Sequence, residues 1–189
     1  MVDSNHREEF ENMNDYSSRA SEYQSGLMKI RRMTLDDLPQ VVAIDQISFS
    51  LPWPSRSFHF ELTDNEASRC WVVEFDNRVI AMLVGWFIID EIHIATIATH
   101  PDFRRQGIAE KLLALVLQTA RGEGALTSFL EVRESNLAAQ EMYRKFGYVV
   151  SGRREHYYND NGEAAILMTL ESLAYFDASI ETKGGPETP

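Results

Sequence analysis

Residues 91–122 place a strand, a basic loop and an amphipathic helix in immediate succession. The run EIHIATIATH (91–100) is typical of a strand whose odd and even positions exchange character along its length, and Pro101 ends it. Apolar residues then recur at helical spacing from about Gln106 to Gly122. The intervening DFRRQG combines two arginines with a glycine at a helix N-terminus, where free N–H groups favour an anion. On its own, this pattern fits a phosphate-binding loop or only a basic helix start.

The other segments predict a single α+β domain over residues 28–170, with no internal repeat. Thr34 with Asp37 is typical of a capping box, Ser55 is expected to cap a second helix, and Asp76–Asn77 predicts a tight turn. The predicted element order is β-α-α-β-β-β-α-β-α-β-β, ending in an antiparallel pair. The sequence contains neither G-x-x-x-x-G-K-[ST] nor G-x-G-x-x-G after a strand, so two common nucleotide motifs are excluded.

The net charge of −11 is concentrated at the two ends of the chain. Residues 1–28 carry six acidic and two basic side chains, and residues 171–189 carry four acidic and one basic. We therefore predict an acidic, disordered N-terminal extension over 1–27 and a flexible C-terminal tail over 171–189. A basic partner such as a ribosomal protein is the functional alternative for these tails. The acidity argues against a nucleic-acid partner.

Several other classes of protein are excluded by composition. No apolar run approaches the roughly 20 residues that span a membrane, so no membrane partner is expected. The first 26 residues lack the apolar core of a targeting peptide, so we expect a cytoplasmic location. Cys70 is the one cysteine and the five histidines are scattered, so neither an internal disulfide nor a metal site is expected.

The stretch ATIATHPDFRRQGIAEKLLALVL, followed after a strand by LEVRESNLAAQEMYRKFGY, resembles the GNAT superfamily of acetyl-CoA-dependent N-acetyltransferases. Arg104, Gly107 and Ala109 occupy the fixed positions of that family's [RQ]-x-x-G-x-[GA] loop, with alanine in place of the commoner glycine. The likeness extends from about residue 29 to 170. Within the superfamily it points to the protein N-terminal acetyltransferases, and most closely to the RimI-type ribosomal-protein-alanine N-acetyltransferases.

The resemblance implies a GNAT fold, with a mixed, mostly antiparallel central sheet flanked by helices and splayed between its fourth and fifth strands. It also implies acetyl-CoA as cosubstrate, with the pantetheine along the end of the fourth strand and the pyrophosphate at the basic loop. Asn136 would touch the cofactor near the pantetheine, and its alternative role as a helix cap is compatible with that contact. The implied cofactor-binding residues are Thr96, Ile97, Ala98, Thr99, Arg104, Arg105, Gln106, Gly107, Ile108, Ala109, Glu110 and Asn136.

Two side chains are implied to carry out the chemistry. Glu131 matches the general base, acting through a water, and its alternation with Leu130 and Val132 turns it to the opposite face of the strand. We expect an apolar surround that increases its affinity for a proton. The alternative is a solvent-facing carboxylate paired with Arg133. Tyr143 matches the general acid that protonates the leaving thiolate, and the alternative is an aromatic packed between helix and sheet.

The segment SFSLPWP and the last hairpin match the two walls of the family's acceptor groove. The implied groove residues are Phe49, Leu51, Trp53, Glu91, Tyr157 and Tyr158. Each has a structural alternative: the first three as core anchors, the tyrosines as packing aromatics, and Glu91 as a competing base or an exposed strand-end carboxylate.

The function implied is acetyl transfer to the α-amino group of a protein N-terminus, such as that of a ribosomal protein, with a small first residue such as alanine. A second enzyme hypothesis is transfer to a lysine ε-amine or a small-molecule amine. A hypothesis from another class is a non-catalytic acyl-CoA-binding module, which the retention of Glu131 and Tyr143 disfavours.

Overall fold

The computed structural model describes residues 28–173, so the predicted extension and almost all of the predicted tail lie outside the described residues. The element order agrees with the sequence-based prediction. Seven strands are present in this part of the chain: β1 (Lys29–Arg32), β2 (Ser68–Phe75), β3 (Arg78–Ile88), β4 (Glu91–Thr99), β5 (Thr127–Arg133), β6 (Val149–Arg154) and β7 (Ala165–Leu170). The α-helices are α1 (Leu38–Ser48), α2 (Ser55–Thr63), α3 (Ile108–Glu123) and α4 (Leu137–Lys145), and short 3-10 turns occupy Leu35–Asp37 and Pro101–Phe103.

The strands form one sheet in the order β1-β2-β3-β4-β5-β7-β6. All neighbours are antiparallel except β4 and β5, which run parallel. Their ladder joins Glu91–Ile94 to Thr127–Leu130 and ends there, so the remainder of β4 pairs with no described strand on that side. The predicted mixed, mostly antiparallel sheet and its splay between the fourth and fifth strands are confirmed.

A β-bulge explains why the two faces of β4 exchange character. Val84 pairs with Thr96 but Gly85 pairs with Ile94, which leaves Ala95 as the extra residue on β4. Ile92 and Ile94 therefore pack on the α3 side of the sheet, whereas Ala98 packs on the α1 side. A Cβ at Gly85 would lie 3.1 Å from the His93 carbonyl oxygen, so the close approach of the strands at the bulge suits glycine.

Helices cover both faces of the sheet and bury separate apolar clusters. On one face, α3 contributes fully buried leucines and valine at helical spacing: Leu112, Leu113, Val116 and Leu117. On the other face, Val41 and Ile44 of α1 and Phe58 of α2 pack on β2 and β3. The sheet thus separates the basic loop before α3 from most of α1 and α2.

Some helix starts differ from those predicted. The capping box exists, with the Thr34 N–H donating to Asp37 Oδ2 over 2.8 Å, but it caps the 3-10 turn and α1 begins only at Leu38. Pro54, not Ser55, is the N-cap of α2. Helix α3 begins at Ile108 instead of Gln106, because the residue before it is left-handed. The tight turn is confirmed: Asp76 and Asn77 both have positive φ between the paired ends of β2 and β3.

Candidate acetyltransferase site

The loop between β4 and α3 has the backbone shape of an anion cradle. Arg105 has φ +64° and Gly107 has φ +71°, so left-handed residues alternate with ordinary ones just before the helix. Such alternation turns successive N–H groups toward one point, and the start of the sixteen-residue α3 adds its partial positive charge. The loop borders a pocket of about 400 Å³ lined by Thr99, Phe103, Arg104, Arg105, Gly107, Ile108, Ala109, Glu110, Ala138, Glu141, Met142 and Lys145.

The two arginines of the loop are placed differently. Arg104 Nε donates to the Thr99 carbonyl oxygen over 3.0 Å, and its Nη2 donates to Ser48 Oγ over 3.2 Å. This side chain therefore ties the loop to the end of β4 and to the end of α1. Arg105 is exposed, and Lys145 across the pocket pairs with Glu110 over 3.1 Å.

The end of β4 offers unused polar groups beside this pocket. Thr99 lines the pocket, is 9% exposed, and its Oγ1 is buried without a hydrogen-bond partner among the described residues. Thr96 is equally buried. Beyond Ile94, the β5-side edge of β4 pairs with no described strand. A buried hydroxyl and a free strand edge cost free energy unless a ligand or water satisfies them.

Asn136 is a helix cap, which was the alternative role predicted for it. Its Oδ1 accepts a hydrogen bond from the Ala139 N–H over 3.2 Å at the start of α4. Four residues of α4, including Lys145 at its end, line the pocket from one side. Contact between Asn136 and a cofactor stays a prediction.

Glu131 lies on the predicted face of β5 but not in the expected surround. Leu130 and Val132 are buried on the α3 side, and Glu131 is exposed on the other face. Its Oε1 lies 3.6 Å from Nη1 of Arg154, so the apolar environment expected from the strand is not present. The alternative pairing with Arg133 is not present either, because Arg133 pairs with Asp160 and Glu163.

Tyr143 is buried between α4 and the sheet, with its ring centroid 5.7 Å from that of Tyr148. Burial raises the pKa of its hydroxyl, and the nearby Tyr158 raises it further. The phenol is therefore fully protonated at neutral pH. Burial raises the pKa of Tyr158 to about 12, against the opposing effect of the Arg133 guanidinium.

The two predicted walls of the acceptor groove meet on the Glu131 face of the sheet. Ser50, between α1 and α2, donates to Asp160 Oδ2 over 2.5 Å, and Asp160 lies between β6 and β7. In the same two segments, Phe49 and Leu51 are exposed and Tyr157 packs perpendicular to Tyr158 at 5.1 Å. The core-anchor alternative therefore fails for Phe49 and Leu51.

Trp53 and Glu91 lie apart from that meeting point. Trp53 packs on Phe58 and Trp86, with ring centroids at 5.3 and 6.4 Å, and so behaves as the predicted structural anchor. Glu91 is half-exposed at the start of β4, 3.3 Å from His93 Nε2. Its partner on β5 is Thr127, four residues before Glu131. At about 3.3 Å per residue this is roughly 13 Å, so the structure does not bring the two carboxylates together.

Comparison with known proteins agrees with this geometry. The model of the Acetyltransferase (GNAT) family matches residues 38–148. The chain belongs to this family. It is 37% identical over 139 residues to a Bacillus subtilis (strain 168) protein assigned as a ribosomal protein bS18-alanine N-acetyltransferase, covering 74% of this chain and 92% of that one. It is 30% identical over 152 residues to the bS18-alanine N-acetyltransferase of Escherichia coli (strain K12), covering 75% and 95%.

A solved structure shows the same fold. The crystal structure of the Escherichia coli ribosomal-protein-S18-alanine N-acetyltransferase matches this GNAT domain with a TM-score of 0.71 and 29% identity, over 76% of this chain and 93% of that one. The chain is therefore an acetyl-CoA-dependent N-acetyltransferase, as its sequence predicts.

Two features of this part of the structure were not predicted from the sequence. The first is the set of contacts around Arg133, which was considered only as a partner for Glu131. The second is Asp45, a fully buried carboxylate of α1 whose Oδ2 accepts from the Trp53 N–H over 2.6 Å. An acidic residue among the apolar positions of α1 was the available signal for it.

Neither a membrane-spanning helix nor a metal-binding cluster is found in residues 28–173. None of the helices described there is long and apolar enough to cross a membrane. In the same range, no group of three or more His, Cys, Asp or Glu side chains is arranged to hold a metal ion.

Proposed function

We propose that this acetyltransferase transfers the acetyl group of acetyl-CoA to the α-amino group of a protein N-terminus, with a ribosomal protein that begins with a small residue such as alanine as acceptor. The observation that carries the proposal is the match over more than nine-tenths of two relatives named for that activity. The family model, over residues 38–148, includes the basic loop, β5 and α4 together, so it covers both predicted halves of the site.

The pocket beside α3 fits the proposed cosubstrate. The left-handed turn at Arg105 and Gly107 and the start of α3 would hold the pyrophosphate. The free edge of β4 from Thr96 to Thr99 would pair with the amides of the pantetheine, and the unpartnered Thr99 hydroxyl supports a polar ligand there. Bound there, acetyl-CoA supplies an activated thioester carbon at the splay.

The proposed chemistry is direct transfer. The uncharged amine attacks the thioester carbon, a C–N bond forms, and the amine proton passes through a water to the Glu131 carboxylate. The C–S bond breaks, and the sulfur takes the proton of the Tyr143 hydroxyl. Solvent then removes the proton from Glu131 and returns one to Tyr143. The exposure of Glu131 supports a base that works through water, and the buried, protonated state of Tyr143 supports its role as the donor.

The acid–base chemistry favours an N-terminus over a lysine. An α-amino group has a pKa of about 7.7–8.0 and a lysine amine about 10.4. At neutral pH, deprotonating the lysine costs roughly 3 kcal/mol more, at about 1.36 kcal/mol per pKa unit. One exposed carboxylate is suited to the easier of these two tasks.

The test compares two peptides of the same sequence with acetyl-CoA, by mass spectrometry. One has a free N-terminal alanine and no lysine, and the other has a blocked N-terminus and one internal lysine. We expect acetylation of the first peptide at its α-amine and little of the second. Equal or faster acetylation of the blocked peptide would overturn the Nα proposal in favour of a lysine acetyltransferase, and acetylation of neither would point to another acceptor.

A further inference from the structure

The side chain of Arg133 is the centre of a polar network on the acceptor face of the sheet. Its Nη1 donates to Glu163 Oε2 over 3.0 Å, and its Nη2 donates to Asp160 Oδ2 over 2.8 Å. Nη2 also donates to Ser50 Oγ over 2.9 Å. The guanidinium carbon lies 3.8 Å from the ring centroid of Tyr158. One cation thus binds two carboxylates, a hydroxyl and an aromatic face.

This network joins three segments that are distant in sequence. Arg133 ends β5, Ser50 lies between α1 and α2, and Asp160 and Glu163 lie between β6 and β7. Ser50 and Asp160 also bond to each other, so the two loops are tied together as well as to the strand beneath them. We call Arg133, Ser50, Asp160 and Glu163 the bridge.

The bridge stands beside the predicted base. Glu131 and Arg133 are two residues apart on one strand, so their side chains share a face and are roughly 6.6 Å apart along it. Both lie past Leu130, where β4 and β5 diverge. The bridge therefore crosses the acceptor face at the end of β5 that the splay opens.

The charged side chains of the bridge are only partly exposed to solvent. Only 20% of the Arg133 side chain is exposed, and Asp160 and Glu163 are 20% and 14% exposed. Hydrogen bonds from Ser135, with a further bond from Arg133, lower the pKa of Glu163 to about 2. A guanidinium that donates to two carboxylates and stacks on a ring also fixes geometry, which lysine cannot reproduce.

We propose that the bridge sets the selectivity of the acetyltransferase for chain ends, with Arg133 as a positioning residue for both walls of the acceptor groove. By tying the two loops together past Glu131, it closes that end of the groove. A chain terminus can stop at a closed end, whereas a continuing chain that presents a lysine needs the loops to separate. This inference rests on the proposed N-terminal acetylation.

The test uses Arg133→Lys and the double variant Ser50→Ala/Asp160→Asn in the full chain. Arg133→Lys keeps the positive charge but loses the forked guanidinium donors. The double variant removes the bond between the two loops, while Glu163 stays paired with Arg133. Arg153→Lys is the matched control, because Arg153 also binds a carboxylate, Glu134 over 2.7 Å, but on the exposed outer strand β6. Steady-state kinetics with the two peptides described above give KM and kcat for each protein.

We expect both bridge variants to raise the KM for the free-N-terminus peptide about tenfold, a change that corresponds to about 1.4 kcal/mol. The KM for acetyl-CoA should stay unchanged. The ratio of kcat/KM for the lysine peptide to that for the N-terminal peptide should rise at least as much, and Arg153→Lys should change none of these. A purely structural role would lower the melting temperature and leave that ratio unchanged.

Different measurements would refute the proposed function and the bridge proposal. Wild-type preference for the blocked lysine peptide would refute the Nα proposal and does not involve the variants. The bridge proposal is overturned if the wild type prefers the N-terminal peptide and the folded bridge variants keep the wild-type ratio of kcat/KM and the wild-type peptide KM. The proposed function is then unaffected. Circular dichroism and melting curves identify the folded variants, and the double variant retains a test if Arg133→Lys does not fold.

Discussion

Asp45 allows a prediction in which charge and hydrogen bonding have opposite effects on stability. Its side chain is fully buried, Oδ2 accepts from the Trp53 N–H, and Oδ1 has no hydrogen-bond partner among the described residues. Burial raises the pKa of this carboxyl, and the bond from Trp53 opposes that shift. The residue therefore anchors the segment between α1 and α2, which carries one predicted wall of the groove, while burial disfavours its charged form.

Two substitutions separate these effects. Asp45→Ala leaves the Trp53 N–H without an acceptor, which costs about 1–3 kcal/mol for a buried donor. At about 2–4 °C per kcal/mol, we expect the melting temperature to fall by roughly 2–12 °C at neutral pH. Asp45→Asn keeps an oxygen for that N–H and removes the charge, so it should be at least as stable as the wild type. Calorimetry of the three proteins measures the difference.

The pH dependence supplies the second half of this test. Because folding raises the pKa of Asp45, the cost of its charge is present above the folded pKa and is removed below the unfolded value of about 3.9. The stability of the wild type relative to Asp45→Asn should therefore rise as the pH falls from neutral toward about 4. The contributions of the other titratable groups are common to both proteins and cancel in this difference. Suppose that Asp45→Asn is less stable than the wild type at neutral pH, and that the difference in stability does not change with pH. The charged carboxylate then stabilises the folded protein, and the reasoning is refuted.

Three further predictions concern the catalytic groups and the loop. Tyr143→Phe should keep the affinity for acetyl-CoA and slow turnover by about 10²–10⁴-fold; near-normal turnover in a stable variant would make Tyr143 a packing residue. Glu131→Gln should lower the rate with the N-terminal peptide most at acid pH, where more of the α-amine is protonated, and a loss independent of pH in a rate profile would contradict its role as base. Gly107→Glu should abolish acetyl-CoA binding in calorimetry, because φ of +71° strains any side chain and the new carboxylate would face the phosphates. Unchanged affinity would show that the cofactor binds elsewhere.

The fold could be predicted from sequence where local rules and tertiary structure agree. The strands, the Asp76–Asn77 turn and the Asn136 cap each have a short-range signature in pattern or residue type, and each is present. Even the β4 bulge was visible as an exchange between odd and even positions. The misplaced start of α3 has a local cause as well, because the left-handed Gly107 delays the first helical residue to Ile108.

The surround of Glu131 could not be predicted, because strand alternation gives the face of a side chain but not what covers that face. The covering groups come from elsewhere: Arg154 follows Glu131 by 23 positions, and Tyr158 belongs to the loop after β6. The same holds more strongly for Arg133, whose contacts reach 83 residues back to Ser50 and 27 residues forward to Asp160.

Contacts between two loops have no period in sequence, so the family resemblance implied both walls of the groove and left open how they meet. The answer affects the function proposed above. If the walls were independent, each could adapt to a bulky acceptor, and the pKa of the amine alone would set the preference for α-amines. Because Ser50 and Asp160 bond to each other over Arg133, the two predicted walls are joined, and the bridge proposal expects them to separate only after this contact is broken. Under the bridge proposal shape adds to acid–base chemistry, and relaxed selectivity without a change in acetyl-CoA affinity is the result that distinguishes the two contributions.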